Sequence, residues 1–165
     1  MYQSDELKSK IYRWKLEETL EKLLFRLYSN FFFSNEDVNK ILEEFCNYRI
    51  KEKKNYKKKY DTDFFKKVVV WVHQNEKKIT EIIECNLSEN WLIDRVDLTM
   101  KAIISLAIYE LMSYENIPLQ VIINEYVSIA NQYLDKSNTG FINGILDNIA
   151  KNIRKSQNGW KFYNK

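Results

Sequence analysis

A chain of 165 residues that is 45% hydrophobic and 30% charged has enough apolar surface to build a core and too much for wholesale disorder. One proline and three glycines exclude a turn-rich sandwich or barrel and point to an all-α fold. A net charge of +3 is too small to imply nucleic acid by itself, and no apolar run approaches the ~18 residues of a membrane span. The expectation is a cytoplasmic protein without membrane association. Cys46 and Cys85 are isolated thiols without CxxC or ligand spacing, which speaks against a disulfide framework or a zinc site.

In chain order, Ser4-Asp5-Glu6 reads as the start of a first helix that runs to about Ser29, with Leu16, Leu20, Leu23, Leu24 and Leu27 at helical spacing on one face. Phe31-Phe32-Phe33 forms an apolar link. Ser34 and Asp37 then look like a capping pair for a second helix with Val38, Ile41, Leu42 and Phe45 inward. From Arg49 to Lys59 the chain carries seven cations against Glu52 alone, interleaved with Tyr56. Asp61-Thr62-Asp63 looks like the next cap, and Phe65, Val68, Val72, Ile79, Ile82 and Ile83 predict one long third helix with Trp71 near its middle.

After the connection from Asn90 to Asp97, a fourth helix is predicted from about Leu98 to Ser113, with Ile103, Leu106, Ala107 and Leu111 inward. Pro118 predicts an irregular segment to Ile123. Asn124 is then the expected cap of a fifth helix with Val127, Ala130 and Leu134 on one face. Ser137, Asn138 and Thr139 offer caps for a last helix with Ile142, Ile145, Ile149 and Ile153 inward. The expected organisation is a single domain over 1–165: an N-terminal sub-bundle at about 1–88, a C-terminal one at about 89–156, and a tail at 157–165.

Nothing in the chain reads as catalytic. It has no GxGxxG, P-loop or GxSxG, and no His/Cys/carboxylate cluster at metal-ligand spacing, so neither enzyme activity nor a cofactor is expected. His73, the one histidine, lies in a strongly helical segment and reads as structural or surface. Glu110 is different: it interrupts an apolar stripe, where a carboxylate needs donors, and the turn around Asn124 or the side chain of Arg95 could supply them. Asn124, Asn143 and Gly144 read as cap, side-chain hydrogen bonds and close helix approach. The run Arg49 to Lys59 has the composition of a single-strand RNA contact, cations for phosphates and an aromatic ring for a base, or equally of a solvated segment.

An ordered series of landmarks narrows the field. Asn90-Trp91-Leu92-Ile93-Asp94-Arg95 is followed by Lys101-Ala102-Ile103-Ile104-Ser105-Leu106-Ala107-Ile108-Tyr109-Glu110-Leu111. Ile117-Pro118, Val121-Ile122-Ile123-Asn124-Glu125 and Phe141-Ile142-Asn143-Gly144-Ile145-Leu146-Asp147 complete it. This succession resembles the C-terminal half of the NusB family of transcription antitermination factors, all-α proteins of two packed antiparallel helical sub-bundles.

The resemblance implies binding of the single-stranded boxA element of rRNA leader transcripts, together with NusE, a small-subunit ribosomal protein, at an elongating RNA polymerase. Tyr28 matches a family aromatic residue, and Phe141 with Asn143 matches the later RNA motif. Where the family has an arginine-rich stretch, this chain has Leu16-Glu17-Glu18-Thr19-Leu20-Glu21-Lys22. Carboxylates repel phosphates, so the expected cationic contacts move upstream to Lys8, Lys10, Arg13 and Lys15. Lys53 to Lys59 is a second candidate patch. The start of the fourth helix, Met100 and Lys101, is the expected NusE contact, with Met100 standing where the family has an acid. Two alternatives stay open: a NusB-fold interaction module with reduced RNA binding, or a helical module associated with an rRNA methyltransferase.

Overall fold

A computed structural model describes residues 62–155 of the chain. The expectations for the first two helices, the Phe31–Phe33 link, the basic run and the C-terminal tail lie outside those residues. Within them the order is α1 (Thr62–Gln74), α2 (Glu76–Asn86), a 3-10 turn (Ile93–Arg95), α3 (Leu98–Ser113), α4 (Leu119–Tyr133) and α5 (Lys136–Lys155), with no strand among the described residues.

Helix α3 is the axis of the packing, with α1, α2, α4 and α5 all against it. Its sequence explains why. From Ala102 to Leu111 every residue is buried, so the helix is apolar nearly all round rather than on one stripe, the pattern of a helix surrounded by others. Asp97 starts it, its Oδ1 accepting the Met100 N–H at 2.8 Å. The other helices are amphipathic. Helix α4 buries Ile122, Ile123, Tyr126, Ile129 and Ala130, whereas α5 buries Ile142, Ile145, Leu146, Ile149, Ala150 and Ile153. The four inward isoleucines expected of the last helix are all in the core.

Three local expectations are corrected. The long third helix is two, divided at Asn75, whose side-chain amide donates back to the Trp71 carbonyl at 2.8 Å. An Asn competing for the carbonyl ladder favours a break, and His73 Nδ1 lies 3.6 Å from Glu76 Oε1 across it. Helix α4 begins at Leu119 and not at Asn124. Pro118 precedes its first turn, where a missing N–H costs nothing, and its carbonyl accepts from Val121 N–H at 3.0 Å. The β-branched Val121-Ile122-Ile123 run is weak in helix propensity, but burial of Ile122 and Ile123 outweighs that. The start of α5 is capped two positions before the first of the three candidates, by Asp135, which accepts the Asn138 N–H at 2.8 Å.

The α3–α4 connection is held from a distance by Arg154. Its Nη1 donates to the Glu115 carbonyl at 2.7 Å, and its Nη2 to the carbonyls of Ile117 at 3.0 Å and Tyr114 at 3.3 Å. A guanidinium satisfies at once several carbonyls of the irregular connection that follows α3. Arg154→Met keeps much of the apolar stem and removes all three bonds. It is expected to destabilise the chain by about 1–2 kcal/mol in urea unfolding, and an unchanged midpoint would show that the connection is held by packing alone.

Candidate nucleic-acid interface

The connection 88–92 and helix α5 meet at an aromatic pair. The rings of Trp91 and Phe141 are stacked, with centroids 4.5 Å apart and planes inclined by 23°. The Trp91 N–H donates to the Ser88 carbonyl at 2.9 Å, a turn that fixes the start of the residue's backbone. Trp91 is 37% exposed and its neighbour Leu92 62%, while Phe141 is half-buried against the core. A ring pair supported from below and open on one side is preorganised for a further planar group.

Beside it lies a gap. Helical rotation of ~100° per residue puts Gly144 and then Gly140 between Phe141 and Asn143 around the circumference of α5. A methyl group added at either glycine would meet nothing within 4 Å, so neither serves the close helix approach expected of Gly144. Asn143 is exposed. The structure thus places Phe141 and Asn143 on opposite sides of a glycine floor, and it adds Trp91, which sequence reasoning used as a landmark but not as a site residue. A tryptophan in a short irregular segment was the available signal.

The remaining candidates fall elsewhere. Lys8, Lys10, Arg13, Lys15 and Tyr28 lie outside the described residues. Met100 is 2% exposed and packs into the core from the first turn of α3, so its side chain is not available to a partner there. An apolar side chain at this position follows the burial of α3 and not the surface. Lys101 is half-buried at the same helix start, and its carbonyl accepts the Ser105 hydroxyl at 2.6 Å.

Glu110 is fully buried, and neither anticipated donor reaches it: Asn124 is inside α4, bonded to Gln120 Nε2 at 3.0 Å, and Arg95 is exposed. Its carboxyl oxygens make no well-formed hydrogen bond. Burial pushes the carboxyl up to about 8; the neighbouring Tyr126 hydroxyl pulls it down and the Glu125 charge raises it. Tyr126 is itself buried, and desolvation beside Glu110 raises its hydroxyl well above the usual tyrosine range. At neutral pH Glu110 is therefore mostly a neutral acid in the core, a structural group. Among the described residues no cluster of His, Cys, Asp and Glu suits a metal ion, and no helix is long and apolar enough to cross a membrane.

A family model for the NusB family matches residues 12–151. The chain belongs to that family. Transcription antitermination protein NusB of Clostridium botulinum (strain Alaska E43 / Type E3) is 43% identical over 94 residues, 57% of this chain and 70% of that protein. The protein of the same name from Natranaerobius thermophilus is 34% identical over 140 residues, 85% of this chain and 95% of its own length. Its counterpart in Rhodopseudomonas palustris (strain HaA2) is 34% identical, and the matched part spans only 56% of that relative. A solved structure of T. maritima NusB superposes with a TM-score of 0.65 at 27% identity, covering 84% of this chain and 90% of the other. The all-helical NusB-like fold expected from the sequence is thereby shown.

Proposed function

We propose that this NusB-family chain acts by binding: it holds a boxA-type single-stranded leader RNA and, with NusE, keeps it at an elongating RNA polymerase during rRNA transcription. Family membership supports the coarser part of this reading, a transcription antitermination factor. The observation that carries the finer part is the Trp91–Phe141 stack at the edge of an open glycine floor. Unpaired bases are recognised by stacking on such rings and by side-chain amides, and Asn143 offers an amide on the far side. Lys8, Lys10, Arg13, Lys15 and Tyr28 would add phosphate and base contacts, and Lys101 on the surface of α3 would face NusE.

A second reading, a protein-interaction module with little RNA affinity, is favoured by Glu17, Glu18 and Glu21, which stand where the family has arginines. Titration of a boxA-containing leader fragment and a scrambled control, at several salt concentrations with and without NusE, separates the two. Preferential boxA binding strengthened by NusE is the expected result. Tight NusE binding with no RNA affinity would replace this reading with the second, and equal salt-sensitive binding to both RNAs would leave only a general basic surface.

A further inference from the structure

A groove of about 540 Å³ lies between α1 and α3, lined by Lys66, Lys67, Val70, Trp71, Gln74, Tyr109 and Ser113. None of the described residues that line it is acidic. On α1 the cations, Val70, Trp71 and Gln74 recur at helical spacing along one stripe, and Tyr109 and Ser113 are one turn apart on α3. The floor is aromatic and apolar: Trp71 is half-buried and meets the ring of Tyr109 edge-on, with centroids 5.4 Å apart and planes at 61°. Lys66 and Lys67 are exposed, and the ion pairs among the described residues, His73–Glu76 and Lys151–Asp147, involve neither. Both lysines stand in the second turn of α1, toward the positive end of its dipole, whereas Gln74 and Ser113 are the last residues of their helices.

We infer that this groove is a second contact for single-stranded RNA, in which Lys66 and Lys67 hold phosphates and a base lies against Trp71. Three features select that ligand. Two exposed ammonium groups that take no part in the ion pairs of the described residues suit an anion. A ring pair fixed by edge-on packing suits a planar base. The groove is open to solvent, so a strand can lie across it, as an enclosed metabolite site would not allow. Charge also continues upstream in the sequence, because the cation-rich run Arg49 to Lys59 stops three residues before Thr62. The inference rests on the RNA-binding reading above but concerns different residues on different elements, so the two can fail separately.

The test uses the full chain and a Lys66→Gln/Lys67→Gln variant, exposed changes that leave the core intact. Binding is measured against a short boxA fragment and against the same fragment extended by unstructured uridines. For the extended RNA the variant should lose affinity roughly tenfold at low salt, with a log–log salt slope shallower by about 1.4, two phosphates at ~0.7 each. The short fragment should bind both proteins alike. Photocrosslinking of 5-iodouridine placed in the extension should label Trp71 or Tyr109. Equal affinity and slope for the extended RNA, or crosslinks confined to other residues, would overturn the proposal. Displacement of the crosslink by poly-glutamate as readily as by RNA would overturn it too, assigning the groove to an acidic polypeptide. Loss of boxA preference in the unchanged chain, with the lysine effect intact, would sink the antitermination reading and support the groove.

Discussion

Raising the pH from 5 to 8 is expected to cost the native chain about 3 kcal/mol of folding stability that Glu110→Gln does not lose. The carboxyl titrates near 4.5 when solvated and at about 8 when folded, chiefly because burial disfavours its charge. Between those values the folded state holds one more proton than the unfolded chain, so stability falls as pH rises, by up to about 1.4 kcal/mol per pH unit. The contribution is fully present below the unfolded value and gone once the pH passes the folded one.

The groups around the carboxyl reinforce that direction. Glu125 on α4 repels its charge, and Tyr126, the one neighbour that favours ionisation, is not well placed as a donor. A glutamine keeps the shape and has no proton to lose. The two proteins should therefore match within about 1 kcal/mol at pH 5 and diverge by pH 8 in urea titrations. Parallel profiles across that range would mean that Glu110 is ionised and compensated in the core.

Phe141→Ala is expected to weaken boxA RNA binding by about 1–3 kcal/mol, on the order of ten- to a hundredfold, if the Trp91–Phe141 stack receives a base. The two rings support each other, so Trp91→Ala should give a similar loss, and the double variant less than the sum of the two. Stacking between the rings themselves is worth about 0.5–1.5 kcal/mol beyond the burial that Phe141 contributes, so a stability loss of at least that size accompanies the change. Fluorescence anisotropy and thermal unfolding on the same variants separate the two roles. Reduced stability with unaltered RNA affinity would assign the pair to the edge of the core.

Much of the fold was legible because burial on one helix face leaves a periodic trace. The limits of α3 follow from Asp97 and the end of the apolar run, and the isoleucines of α5 from their spacing. The misread places share one cause. Asn75, Pro118 and Asn124 are all residues whose local chemistry permits either a boundary or continuation; at Asn75 the side-chain amide takes the Trp71 carbonyl and the helix breaks, whereas packing carries the helix through Asn124. Around Pro118 the burial of Ile122 and Ile123 carried the helix back to Leu119. Met100 shows the same limit in the other direction: its place in a motif says nothing about which way its side chain turns.

For the candidate site, Phe141 and Asn143 were visible as part of a motif, and Trp91 as a landmark. That Trp91 and Phe141 meet, fifty positions apart in the chain, was not visible, nor was the groove that joins Lys66 and Trp71 to Tyr109. The sequence by itself determined the helical class, the extent of α3 and the family, since these follow from composition, periodicity and the order of motifs along one chain. Only the tertiary structure decided which rings stack, that neither Asn124 nor Arg95 reaches Glu110, and which cations border a groove. Those properties depend on distances between segments far apart in sequence, and local pattern places no constraint on them.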